Sequence, residues 1–161
     1  MKRFSSILFL LMSVFLAACS QPEEEAAVPC ENTLAPLEVD FSWITEEADV
    51  VDEAEPVSLQ AIVSHDNIPI DDAYEVVFEI WEHANGEYHH IEDAKNQGDG
   101  LYALDWTFED EGVYYVYYHV TACDQHRMEK SQLVVGDVDV DEITSVPDDV
   151  ELLERMDHGA H

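Results

Sequence analysis

Between residues 37 and 136 the apolar positions mostly recur with a period of two. Leu37, Val39, Phe41 and Trp43 alternate with polar residues, the pattern of a strand with one face in a core. A second strand is predicted from Val57 to Val63, ended by Asn67-Ile68-Pro69. A third runs from Tyr74 to Trp81, with Tyr74, Val76, Phe78 and Ile80 on one face and Glu75, Val77, Glu79 and Trp81 on the other. Asn85-Gly86 then reads as a two-residue hairpin turn, which pairs Glu82 with His89 and Trp81 with His90. Gln97-Gly98-Asp99-Gly100 is a turn before a strand over Leu101 to Phe108. Glu109 to Gly112 turns the chain into a long strand through Tyr115 to Ala122, followed by a short loop and a strand over Ser131 to Gly136. About seven strands, with turn signals roughly every 8–12 residues, predict an all-β immunoglobulin-like β-sandwich.

The flanks read differently. Lys2 and Arg3 precede the apolar run Ile7 to Ala18, and Leu16-Ala17-Ala18-Cys19 resembles a bacterial lipobox. Residues 1–18 are therefore expected to be a signal peptide, with Cys19 the lipidated first residue of an extracytoplasmic chain anchored to the cell membrane. Residues 19–36, rich in Glu, Ala and Pro, are expected to form a tether. Residues 37–136 form the domain and 137–161 an acidic tail, in which Val150, Leu152, Leu153 and Met156 suggest a short helix over Pro147 to Met156.

Charge narrows the partners. The 161 residues carry a formal net charge of −31; without residues 1–18, four Lys+Arg face 37 Asp+Glu, a net charge of −33. Such a chain repels nucleic acid, whose binding depends on basic side chains neutralising phosphates. It also repels anionic headgroups, which leaves the lipid anchor as its hold on the membrane.

The candidate chemistry is metal binding. There is no Gly-x-Ser-x-Gly, no phosphate loop and no Cys–His protease setting, so no catalytic residue is expected. His119, Cys123, His126 and Met128 fall within ten residues, and imidazole with soft sulfur favours copper, as Cu(I), over calcium or magnesium. In extended chain His126 and Met128 share a face, as do Met156 and His158 in the tail. His119 lies about 23 Å from His126 if the chain is fully extended, so a bend at Asp124-Gln125 is expected. It gathers Cys123, His126 and Met128 at a loop tip, with His119 further down beside Tyr117 and Thr121. Each residue has a plainer reading. His119 is then a half-buried strand residue, Cys123 a disulfide partner of Cys30 or a small apolar side chain, and His89 and His90 solvated hairpin residues. His158 and His161 are either an accessory metal-capturing tail or a plain chain end. With all of these plain, the chain is a non-metal surface adhesion or assembly module.

Several stretches, taken in order, resemble the YtkA-like, FixH-type lipoproteins. They are Asp71-Asp72-Ala73 with Val77-Phe78-Glu79-Ile80-Trp81, His89-His90-Ile91-Glu92, Gly98-Asp99-Gly100-Leu101-Tyr102, Phe108-Glu109-Asp110-Glu111-Gly112-Val113-Tyr114, and His119-Val120-Thr121-Ala122 followed by His126-x-Met128. The resemblance covers about residues 37–136. It implies an immunoglobulin-like sandwich on an exported lipoprotein that handles copper and delivers it to the CuA centre of cytochrome c oxidase. The partner would be cytochrome c oxidase subunit II or another copper protein. The family's histidines fall on His89, His90, His119 and His126, and its methionine on Met128. The expected ligands are thus His126 and Met128, with His119, His90 and Cys123 as candidates. Two departures stand out. Cys123-Asp124-Gln125 replaces the family's Arg-Gly, and Met128-Glu129-Lys130 replaces its basic Met-Pro-Lys-Lys.

Overall fold

The computed structural model describes residues 28–45 and 51–152. The expected signal segment, Cys19, and Met156, His158 and His161 lie outside these residues. The described strands are β1 (Leu37–Ile44), β2 (Pro56–His65), β3 (Ile68–Pro69), β4 (Glu75–Glu82), β5 (Asn85–Asp93), β6 (Lys95–Gly98), β7 (Leu101–Thr107), β8 (Gly112–Ala122) and β9 (Gln125–Val135). They form two antiparallel sheets, one ordered β1-β2-β7-β6 with β3 beside β2, the other β5-β4-β8-β9. The expected all-β immunoglobulin-like sandwich is the fold observed.

The inner faces make the core. Val57, Leu59, Ala61 and Val63 of β2 are buried at alternate positions and belong to one cluster with Val76, Phe78 and Ile80 of β4 and Val116, Tyr118 and Val120 of β8. Phe78 is fully buried, a burial that contributes about 1.5–3 kcal/mol relative to exposure. At the entry to β8 the Tyr114 hydroxyl donates to the Asp110 carbonyl at 2.9 Å, fixing the corner where the chain enters the strand. Gly100, at φ +75°, leaves no room for a Cβ against the Val63 carbonyl, so the turn before β7 requires glycine there.

Two hairpins differ from expectation, and both differences move site residues. The β8–β9 turn is Cys123-Asp124, with φ of 52° and 57°, and pairs Ala122 with Gln125. β9 thus begins at Gln125 rather than Ser131, and His126 and Met128 stand on a strand, not in a loop. The β4–β5 turn is His83-Ala84, not Asn85-Gly86, and a bulge lies between Trp81 and Glu82. Tertiary anchors place it there. His83 N–H donates to the Val113 carbonyl at 2.8 Å, and Ala84 N–H donates to Asp148 at 3.2 Å. Asn85 instead opens β5, its side chain bonded to Glu82.

The flanks differ as well. Cys30 is disulfide-bonded to Cys123, and the Ala35 carbonyl accepts from Gln125 at 3.0 Å and bonds the buried His65 at 3.1 Å. The described end of the expected tether is therefore fastened to the sandwich. The short helix is α1 (Val140–Ile143), capped by the Asp139 side chain on Glu142 N–H. Residues 147–152 are not helical; Asp148 and Val150 are held against the sheet instead. No helix among the described residues is long and apolar enough to cross a membrane.

Candidate functional site

The outward face of the β5-β4-β8-β9 sheet carries the candidate chemistry. Strand pairing places Val77 beside His119, Trp81 beside His89 and Tyr115, and His119 beside Met128, all on the side away from the core. This face is not an ordinary solvated one. Six consecutive residues of β4, Val76 to Trp81, are buried, so both sides of the strand are covered.

Glu79 lies at the centre of that face with no solvent exposure. Its Oε1 is 2.7 Å from His89 Nε2 on β5 and its Oε2 is 3.0 Å from His119 Nε2 on β8. One carboxylate thus links three adjacent strands. Trp81 packs beside His89, ring centroids 5.6 Å apart, and Tyr117 packs edge-on to His119 at 4.7 Å. A buried carboxylate is costly unless hydrogen-bonded to cations or strong donors, and the two imidazoles supply those donors.

Next to this chain of bonds the face opens. His119 stands directly across from Met128 and diagonally from His126, whose ring stacks on it with centroids 5.9 Å apart. Ligating nitrogens about 2 Å from an ion keep two ring centroids within about 6 Å of each other. His119 and His126 meet that limit. Met128 is half exposed and His126 exposed, so both side chains are free to turn. Two imidazoles and a thioether make a soft, three-sided donor set suited to Cu(I). No three His, Cys, Asp or Glu side chains among the described residues form a group that could hold a metal ion.

The C-terminal segment covers the other half of the face. Asp148 accepts from the Trp81 indole N–H at 3.1 Å, and Val138, Val140, Ile143 and Val150 pack on a cluster of Trp81, Val113 and Tyr115. His83 joins strand to segment: Nε2–H donates to the Val146 carbonyl at 2.8 Å, and in the neutral ring Nδ1 then accepts from the Tyr115 hydroxyl at 3.1 Å. Lys130 Nζ lies 4.2 Å from the Tyr115 ring centroid, a cation–π contact. Burial pushes the Asp148 carboxyl up, but the bonds from Trp81, Ala84 and Val150, helped by His83 when its ring is protonated, outweigh it, leaving it below its ordinary value. A cavity of about 390 Å³ between Trp81, Tyr117, Met128, Asp148, Val150 and Leu152 runs up to the open half of the face.

Two expected ligands fall elsewhere. The displaced β4–β5 turn and the register shift between Trp81 and Glu82 together leave the pairing one residue from expectation, so Trp81 faces His89, and His90 pairs with Ile80. A one-residue shift moves a side chain to the opposite face. His90 therefore packs inward, against Tyr88 and Trp106. Cys123 has its sulfur bonded to Cys30 and packs against the core, so it presents no thiolate to an ion. Conversely, His119 moves from the margin to the centre, because the hairpin brings it opposite Met128. Sequence reasoning missed Glu79 and left His89 open between one of the family's histidines and a solvated hairpin residue. The available signal was a carboxylate inside the apolar run Val76 to Trp81.

The YtkA-like family model matches residues 31–119, which include Glu79, His89, His90 and His119 and stop short of His126 and Met128. No curated protein sequence matches the chain. The matched segment spans more than half of the chain, from before β1 into β8, and the chain belongs to the YtkA-like family.

Proposed function

We propose that the protein is an extracytoplasmic, lipid-anchored Cu(I) carrier, with His119, His126 and Met128 as ligands, that passes copper to the CuA centre of cytochrome c oxidase or to another copper protein. The observation that carries this reading is the placement of two imidazoles and a thioether side by side on one outward patch of the β8–β9 hairpin. The family match supports an extracytoplasmic-type domain, and the lipobox-like Leu16-Ala17-Ala18-Cys19 supports the anchor.

The ligands suit transfer more than storage. They project from a strand face rather than from a closed cavity, so an acceptor's own ligands can reach the ion before it leaves. The chain's net charge, −33 without residues 1–18, draws cations in and favours a basic docking face on the acceptor.

The test is a Cu(I) competition titration against a calibrated chelator. About one Cu(I) per chain is expected, with affinity falling at least 100-fold in His126→Ala/Met128→Ala, since each lost ligand weakens a soft three-donor site. An unchanged titration in that double variant would remove these residues from the site. Weak uptake without stoichiometry by the wild type would favour a non-metal assembly module.

A further inference from the structure

We infer that Glu79 is a positioning residue that fixes which nitrogen of His119 meets the metal: it holds Nε2 protonated and leaves Nδ1 as the ligand atom. This rests on the copper reading above and adds to it a residue that touches no ion.

The inference follows from valence. Glu79 presents one carboxylate oxygen to the Nε2 atom of His89 and the other to that of His119, and a carboxylate accepting both bonds requires a proton on each nitrogen. Each Nε2 therefore carries the proton, and in the neutral ring the lone pair lies on Nδ1. Both rings are held in one tautomer by one side chain. Glu79 is fully buried, and the His89 side chain is only 5% exposed, so water does not compete for these bonds. His119 is 20% exposed, so it alone of the pair reaches the open patch beside His126 and Met128. His89 packs under Trp81 and completes the clamp from the far side. Fixing the tautomer and orientation of a ligating imidazole in this way raises its basicity, and losing such a partner typically costs about 10–100-fold in metal affinity.

The discriminating variant is Glu79→Gln. It preserves shape, but its amide offers one acceptor and one donor, so only one of the two imidazoles keeps a proton on Nε2 with a bond to residue 79. A purely structural crosslink tolerates that exchange; a tautomer clamp does not. Imidazole ¹⁵N NMR on the metal-free full-length chain should show His89 and His119 both protonated at Nε2 in the wild type. In Glu79→Gln one of them should change tautomer; Cu(I) affinity should fall about 10–100-fold where that ring is His119 and stay at the wild-type value where it is His89. Wild-type rings with Nδ1 protonated overturn the inference, and this holds even if Glu79→Gln does not fold. Wild-type copper affinity in a folded Glu79→Gln chain whose His119 has changed tautomer also overturns it, while the His126→Ala/Met128→Ala result separately decides the copper reading. Absence of Cu(I) uptake by the wild type defeats both.

Discussion

The two outward faces of the sandwich are built on opposite principles. On the β1-β2-β7-β6 sheet the outer positions are polar and wet: Glu38, Asp40 and Ser42 of β1 are exposed between half-buried Val39, Phe41 and Trp43. On the β5-β4-β8-β9 sheet the outer positions are Glu79, Trp81, Tyr115 and His119, and most are covered. A sheet with one solvated face needs only alternation. A sheet buried on both faces needs something to cover it, here the segment from Val138 to Leu152, which leaves the His119–Met128 patch open. The half-covered face is where a carboxylate can be kept dry and two histidines held still.

Four substitutions sharpen that contrast, from largest effect to smallest. Phe78→Ala, on the core side of β4 next to Glu79, is expected to lose about 3–5 kcal/mol in chemical denaturation. Removing the Cys30–Cys123 disulfide by Cys30→Ser opens a loop with a sequence separation of 93 residues. It should lose about 2–5 kcal/mol, with Cu(I) affinity retained because neither sulfur is a ligand. Asp148→Ala unpins the C-terminal segment and leaves the Trp81 N–H without its acceptor. It should cost about 1–3 kcal/mol and change Trp fluorescence. Gln60→Ala, on the wet face of the other sheet, should stay within about 0.5 kcal/mol of wild type. A large loss there would break the contrast between the faces.

Acid offers a further probe of the covered half. The folded carboxyl of Asp148 lies below its ordinary value of 3.8. Its contribution is therefore complete above that value and is lost as pH falls through the lower, folded one. The Trp fluorescence signal that reports release of the segment should appear only below about pH 3.8 and be absent from Asp148→Asn.

Much of this was legible in the chain. The alternation of Leu37 to Trp43 and of Val57 to Val63 gives β1 and β2 directly, and the spacing of His126 and Met128 puts both on one face. Hairpin register was not legible, because long-range bonds decided it. Asn85-Gly86 is the stronger local turn signal, yet His83 and Ala84 are tied to Val113 and Asp148. The displaced turn, together with the register shift between Trp81 and Glu82, exchanges the faces of His89 and His90. In the same way, Cys123-Asp124 turns the chain one residue before the expected Asp124-Gln125, which extends β9 and brings His119 opposite Met128. Glu79 stayed hidden for a related reason: its partners lie 10 and 40 residues away on two different strands.

X-ray absorption at the copper edge of the Cu(I)-loaded protein tests the central claim most directly. One sulfur and two imidazole nitrogens around a single ion are expected, with the sulfur lost in Met128→Ala. A shell without sulfur in the wild type, or a sulfur that persists in Met128→Ala, would contradict the site.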